Sequence, residues 1–154
     1  MEKKVIIKKI SEKLERRLAE LRGSIEDLQK QVINSPNAMQ SWSDTSRSQI
    51  RGVIANLQPQ TVQLEKCIGE LKAVDVDRIY KKVDIGALVV VGSKTERAYY
   101  FLAPEGAGAE TMAINGLELT TLAASSSLGQ KIKDKKEKEK IEFTDQHLEI
   151  LEIL

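Results

Sequence analysis

Few residues in this chain can carry chemistry on their own. Among 154 residues there is one cysteine, Cys67, and one histidine, His147. A single thiol excludes an internal disulfide and any cysteine-rich zinc site. Aromatic residues make up only 4%, too few for a large aromatic core or a base-stacking platform. Neither sign of charge dominates: Lys+Arg number 24 against Asp+Glu 23, a net of +1. That balance supplies no overall field for holding a nucleic-acid backbone. No apolar run approaches the roughly 20 residues of a membrane helix. The run Val5-Ile6-Ile7 is too short for a signal peptide. A soluble, cytoplasmic protein with no membrane contact is expected.

What is present is periodicity. Leu14, Leu18, Leu21, Ile25, Leu28 and Val32 follow one another at alternating steps of four and three, with Glu, Lys and Arg between them. This is the narrow seam of a coiled-coil helix, and Ile7 falls in the same frame. Gly23 sits inside it at a cost of about 1 kcal/mol relative to Ala. Asn34-Ser35-Pro36-Asn37 is expected to stop the helix. A second seam runs through Ile50, Ile54, Leu57, Thr61, Leu64, Ile68 and Leu71, and Pro59 within it predicts a kink. The two seams mirror one another about Ser41. Two helices joined by a short loop bury each other's apolar face, so residues 1–76 are expected to form an antiparallel hairpin with its tip near 37–46. The bland alternative is half of an intermolecular coiled coil.

From Val83 onward the period shortens. Ala87–Val91 and Arg97–Leu102 read as a strand pair around Gly92-Ser93-Lys94. Met112-Ala113-Ile114 and Leu117-Glu118-Leu119 flank Asn115-Gly116, the favoured type I′ pair. Ser126–Lys133 predicts a short helix, and Lys140–Phe143 and Leu148–Ile153 predict two closing strands. The fold class is therefore α+β: a helical hairpin followed, over 77–154, by a small, mostly antiparallel β unit with one short helix.

The remaining candidates are weak. Gly106-Ala107-Gly108-Ala109 has two glycines of a dinucleotide fingerprint, but the third is missing, and a plain loop is the simpler reading. Cys67 beside the seam residue Ile68 reads as a packed thiol, since no activating base can be named. His147 reads as a surface or sheet histidine. The Lys131–Lys140 run mixes acids with bases and reads as a solvated helix end and turn, or as a docking surface. The tip is less ordinary. Ser41-Trp42-Ser43-Asp44 places the only tryptophan and an isolated carboxylate at the point farthest from the β unit, which suggests contact with a partner. Against this, Asp44 would serve well as the N-cap of the second helix, and Trp42 could pack locally between helix ends.

A helical hairpin with a polar acidic tip on a small β unit resembles the bacterial Gre transcript-cleavage factors. The likeness covers nearly the whole chain and is most specific near the C-terminus. There Ser126-Ser127-Leu128-Gly129-Gln130-Lys131-Ile132 is similar to the start of the family's S-P-L-G-x-A-L-L-G-K-K-x-G-D-x-V-x-V, and Lys135-Lys136 falls on its two lysines. Val83-Asp84-Ile85-Gly86-Ala87-Leu88-Val89 is similar to its V-x-x-G-A-x-V. Ser127 stands where the family has Pro, and Asp134 and Lys138 replace two glycines. At the tip, where the family resembles D-L-S-E-N-A-E-Y, Ser43 is kept and Asp44 stands for Glu, while Ser41 and Arg47 replace acids.

The resemblance implies an FKBP-like C-terminal domain that binds the rim of the RNA polymerase secondary channel through Ser126, Ser127, Leu128 and Gly129. It implies a hairpin reaching down that channel as a monomer, contacting nucleic acid at most indirectly. Asp44, assisted by Ser43 and flanked by Ser41 and Trp42, would help hold the polymerase's own Mg²⁺ during transcript cleavage. The chain itself would be no enzyme and need no cofactor. Other readings are a channel-blocking regulator without cleavage activity, a prolyl isomerase, or a coiled-coil adaptor.

Overall fold

The computed structural model describes residues 2–34, 40–93 and 96–154, the first five residues of the second helix (40–44) by their backbone alone. Two long helices, α1 (Lys3–Asn34) and α2 (Gln40–Lys72), precede a sheet. Its strands are β1 (Leu88–Gly92), β2 (Arg97–Ala103), β3 (Thr111–Ile114), β4 (Leu117–Ala123), β5 (Lys140–Phe143) and β6 (Gln146–Ile153). One short helix, α3 (Ser127–Ile132), lies between β4 and β5.

The heptad seams are the contact faces. Leu14, Leu18, Leu64, Ile68 and Leu71 are buried, while the seam residues from Leu21 to Val32 and from Ile50 to Thr61 are half-buried. Two helices alone cannot cover a seam completely; near its base the sheet finishes the task. Arg22 pairs with Glu65, and the Lys72 ammonium lies 2.6 Å from Glu15. Each of these residues directly follows a seam leucine, and 22 with 65 and 15 with 72 give the same sum, as an antiparallel register requires. The helices do not fold back at Ser41. Its backbone belongs to the first turn of α2, because α1 already ends at Asn34, and the connection lies outside the described residues. Nor does Pro59 interrupt α2. Just past it, the Gln60 side-chain amide donates to the Asn56 carbonyl at 3.2 Å and the Thr61 hydroxyl to the Gln58 carbonyl at 2.7 Å.

The sheet order is β3-β4-β2-β1-β6-β5. Four neighbouring pairs are antiparallel and one, β2–β4, is parallel. The exception arises because the β3–β4 hairpin is inserted beside β2 and only its second strand pairs there. Central β1 is buried along its whole length. Strand alternation sends Leu88 into one cluster with Ile6, Ile10, Leu71 and Phe101, and Val89 and Val91 into another with Leu128, Ile132 and Ile150. The hairpin base covers the first face and α3 the second. A strand between two apolar layers needs an unbroken apolar run, which Ala87–Val91 supplies.

Asn115 and Gly116 have φ of 52° and 80°, the left-handed pair that a type I′ turn requires. Asp134 and Lys138, the positions where the Gre pattern has glycine, also have positive φ, 64° and 67°. Both side chains therefore sit in the region that favours glycine. A left-handed lysine carries a steric cost of about 1–2 kcal/mol, partly offset on removal by the greater freedom of unfolded glycine. Lys138→Gly is accordingly expected to stabilise the fold by up to about 1 kcal/mol, read as a higher urea midpoint. Asp134→Gly should gain less, since aspartate tolerates this region better. A lowered midpoint for Lys138→Gly would mean that the lysine side chain contributes more than its backbone costs.

Candidate docking site and hairpin tip

The segment from Ser125 to Lys133 is the most heavily braced irregular stretch of the sheet unit. Ser126, at φ −65° and ψ 155°, caps α3: its hydroxyl accepts from the Gly129 amide at 3.0 Å and donates to the Ala123 carbonyl at 2.7 Å. The Glu105 carboxylate accepts from both the Ser125 amide, at 2.9 Å, and the Ser125 hydroxyl, at 2.7 Å. Gln130 donates back to the Ser125 carbonyl at 3.0 Å. At Gly129 a Cβ would lie 2.1 Å from the Ala123 carbonyl oxygen, so the close crossing of the two chain segments needs glycine.

The four residues expected to meet a partner divide sharply. Ser127 is exposed and Ser126 half-buried, but Gly129 is buried and Leu128 is only 6% exposed. Leu128 packs in the core cluster with Val83, Ile132, Ile141 and Ile150. Its apolarity serves the interior, which corrects the expectation of an exposed apolar contact. The surface on offer is Ser125, Ser127, Gln130 and Lys131. Ser127 is the first helical residue, a position that also suits the family's proline, so this departure leaves the cap intact. Glu105 gave no signal in the sequence, because its partner Ser125 lies 20 residues away across the sheet.

Ser41, Trp42, Ser43 and Asp44 lie on the helical backbone of α2, and their side chains lie outside the described residues. Because α2 begins at Gln40, Asp44 is the fifth helical residue and cannot be its N-cap. Asp44 lies 23 residues from Cys67, which packs against Gly106 at the sheet. At 1.5 Å per residue this puts it roughly 35 Å away along the helix.

The other candidates are structural. Cys67 is fully buried, and burial first, then Glu70 and Glu105, push its thiol above the ordinary value. Both effects deplete the thiolate, the reactive form. Alkylation by iodoacetamide at pH 8 is expected to be at least about 100-fold slower in the native chain than in urea; comparable rates would contradict the packed placement. His147 is exposed on β6, its Nδ1 3.4 Å from Glu142. Gly106 and Gly108 belong to a turn that leads into β3, with no long helix after it. The Lys131–Lys140 run spans the end of α3, a turn and the start of β5. Among the described residues no group of three His, Cys, Asp or Glu is placed to hold a metal ion, and no helix is long and apolar enough to cross a membrane.

Fold and site together define a class: an α+β chain in which a long antiparallel helical hairpin stands on one face of a six-stranded mixed sheet. Two solved structures show a distant likeness to this chain. One, of the transcription factor Gfh1, is 11% identical, with 93% of this chain and 92% of that chain covered at a TM-score of 0.38. The other, GreA factor homolog 1 (Gfh1) of Thermus thermophilus, is 12% identical, with 96% and 94% covered at a TM-score of 0.37. No family model and no curated protein matches the chain.

Proposed function

We propose that this chain is an accessory factor of bacterial RNA polymerase, acting as a monomer from the secondary channel during elongation. The FKBP-like sheet unit, residues 77–154, would dock at the channel rim through the Ser125–Lys131 surface, and the hairpin would carry residues 41–44 toward the active centre. One observation carries this reading. The segment that resembles the Gre motif has a local backbone consistent with it: a capping serine, a glycine that no larger residue can replace and two left-handed residues at its glycine positions. The 33 residues of α2 span roughly 50 Å, about 35 Å of it between Asp44 and the sheet. The chain performs no reaction of its own and meets nucleic acid at most indirectly, within the complex, in the cytoplasm.

What the tip does there turns on one carboxylate. Mg²⁺ bound by a polymerase accepts one or two protein carboxylates besides water, and a second ion stabilises the attacking and leaving oxygens of an in-line displacement. Asp44 offers one such ligand, Ser43 a neighbouring hydroxyl and Trp42 an aromatic contact. Ser41 and Arg47, standing at acid positions of the pattern, favour a second reading in which the factor occupies the channel and inhibits without cleaving.

The deciding experiment adds parent, Asp44→Asn and Ser41→Asp chains to backtracked elongation complexes at matched occupancy. If the tip supports cleavage, the parent shortens the transcript, Asp44→Asn loses most of that activity, and Ser41→Asp gains. If it blocks, no chain cleaves and all three inhibit nucleotide addition alike. A parent that neither cleaves nor inhibits would remove the polymerase reading.

A further inference from the structure

Residues 73–87 connect the hairpin to the sheet, and their middle holds the most exposed large apolar side chain among the described residues, Ile79 at 89%. Ile79 does not stand alone on an open surface. It borders two clefts that meet at Arg78–Tyr80. One, of about 500 Å³, faces the base of α1 and the end of β6. The other, of about 550 Å³, faces Lys81, Lys82 and the loop after α3.

Six basic side chains line the two clefts: Lys3, Lys4, Arg78, Lys81, Lys82 and Lys133. Four acids stand among them: Glu2, Asp77, Asp84 and Asp134. Six less four leaves an excess of +2 here, against +1 for the entire chain. Two of the acids are already matched locally, Asp84 lying 3.4 Å from Arg78 and Asp134 3.9 Å from Lys82. Lys4, Lys81 and Lys133 are exposed and make no ion pair among the described residues. Beneath them Tyr80 is a fixed floor. Its hydroxyl donates to the Ile85 carbonyl at 3.1 Å, and the Lys3 ammonium and Arg78 guanidinium each lie 4.8 Å from its ring centre. The Lys3 ammonium also donates to the Arg78 carbonyl at 2.8 Å, tying the connector to α1.

We propose that this ridge is an interaction surface for an acidic peptide segment of a partner protein. An apolar side chain of that segment packs on Ile79, and its carboxylates meet Lys4, Lys81 and Lys133. The charge pattern selects this occupant. A nucleic-acid backbone gains nothing from an exposed isoleucine, whereas a peptide can bring an apolar side chain to it. A second copy of the chain would bring one positive ridge against another. An acidic segment with an apolar anchor satisfies both features, the anchor contributing affinity and the lysines orientation and rate. The inference stands independently of the polymerase reading.

The test titrates the full-length, ¹⁵N-labelled chain with a synthetic twelve-residue peptide of Asp, Glu and Leu. Parallel titrations use the same peptide with Leu replaced by Ser, and a twelve-nucleotide oligothymidine. Amide shifts are expected at residues 2–4 and 76–82, weakening as salt is raised. Ile79→Ser, at a position that supports no core, is expected to weaken binding by about tenfold. Lys81→Glu is expected to weaken it with its spectrum otherwise unchanged. Absence of shifts, shifts centred elsewhere, or equal binding of the Ser-substituted peptide would overturn the proposal. So would tighter binding of the oligothymidine, or concentration-dependent shifts without any peptide.

Discussion

Phe101→Ala is expected to lower the unfolding free energy by about 3–5 kcal/mol and to move the helical signal and the sheet signal together. Phe101 is fully buried on β2, opposite Leu88, in the cluster that also holds Ile6, Ile10, Leu14, Cys67 and Leu71 from the two helices. Removing its ring therefore empties space beneath both the hairpin base and the sheet. With typical domain stabilities of about 5–15 kcal/mol, the loss is about a fifth of the total or more. Unfolding in urea, in a Trp42→Phe background, should be followed by far-UV circular dichroism, dominated by α1 and α2, and by the near-UV signal of Tyr80, Tyr99 and Tyr100. Coincident curves mean one cooperative unit. If the tyrosine curve shifts and the helical curve stays, the hairpin folds by itself, and the proposed division at 76/77 is energetic as well as topological.

The second large effect concerns Leu128. Its side chain is buried against Val83, Ile141 and Ile150, so Leu128→Asp loses the packing of a core leucine and buries a carboxylate with no partner. A cost of at least about 4 kcal/mol is expected, most of the stability of a domain at the lower end of the usual range. A lost interaction in that variant would report folding, not contact. The contact is tested one residue earlier. Ser127 is exposed at the first helical position, where substitutions change stability by no more than about 0.5 kcal/mol. Ser127→Arg is expected to keep its circular dichroism and melting temperature while losing capture by immobilised RNA polymerase. Retained capture by this folded variant would exclude the α3 cap from the docking surface. A Leu128→Asp chain that melts like the parent would refute the core assignment.

Much of this architecture could be read directly. Every seam residue from Leu14 to Val32 and from Ile50 to Leu71 is at least half-buried, because a heptad states its contact face at every third or fourth position. The strand pairs were legible where turn chemistry is specific, as at Asn115-Gly116. At Thr144-Asp145 the two strands were legible but the tight turn between them was not: it takes φ of 49° and 61°, although a β-branched residue seldom does. The same limit applied to function. A motif names residue types without saying which way each points, so Leu128 looked like a contact until the second apolar layer was in place. Glu105 was invisible because its role depends on a loop crossing 20 residues away in sequence. The fold-back point was misplaced because pairing symmetry fixes the register of two helices, not where either one starts.

Three lysines of α1 reach across to the rest of the chain at successive heights: Lys3 to the Arg78 carbonyl, Lys9 to the Ala113 carbonyl at 3.1 Å, and Lys13 to the Glu110 carboxylate. Mechanically, this makes the hairpin a lever clamped near its fulcrum. Beyond the Lys13 clamp roughly 30 Å of α1 remains up to Asn34, which turns a pivot of about 5° into a swing of about 3 Å at its far end, about the width of a water molecule. Aim at the tip is thus decided among exposed lysines at the base, where ionic strength loosens the grip, and a chain with all three lysines neutralised would point less steadily without being any less folded.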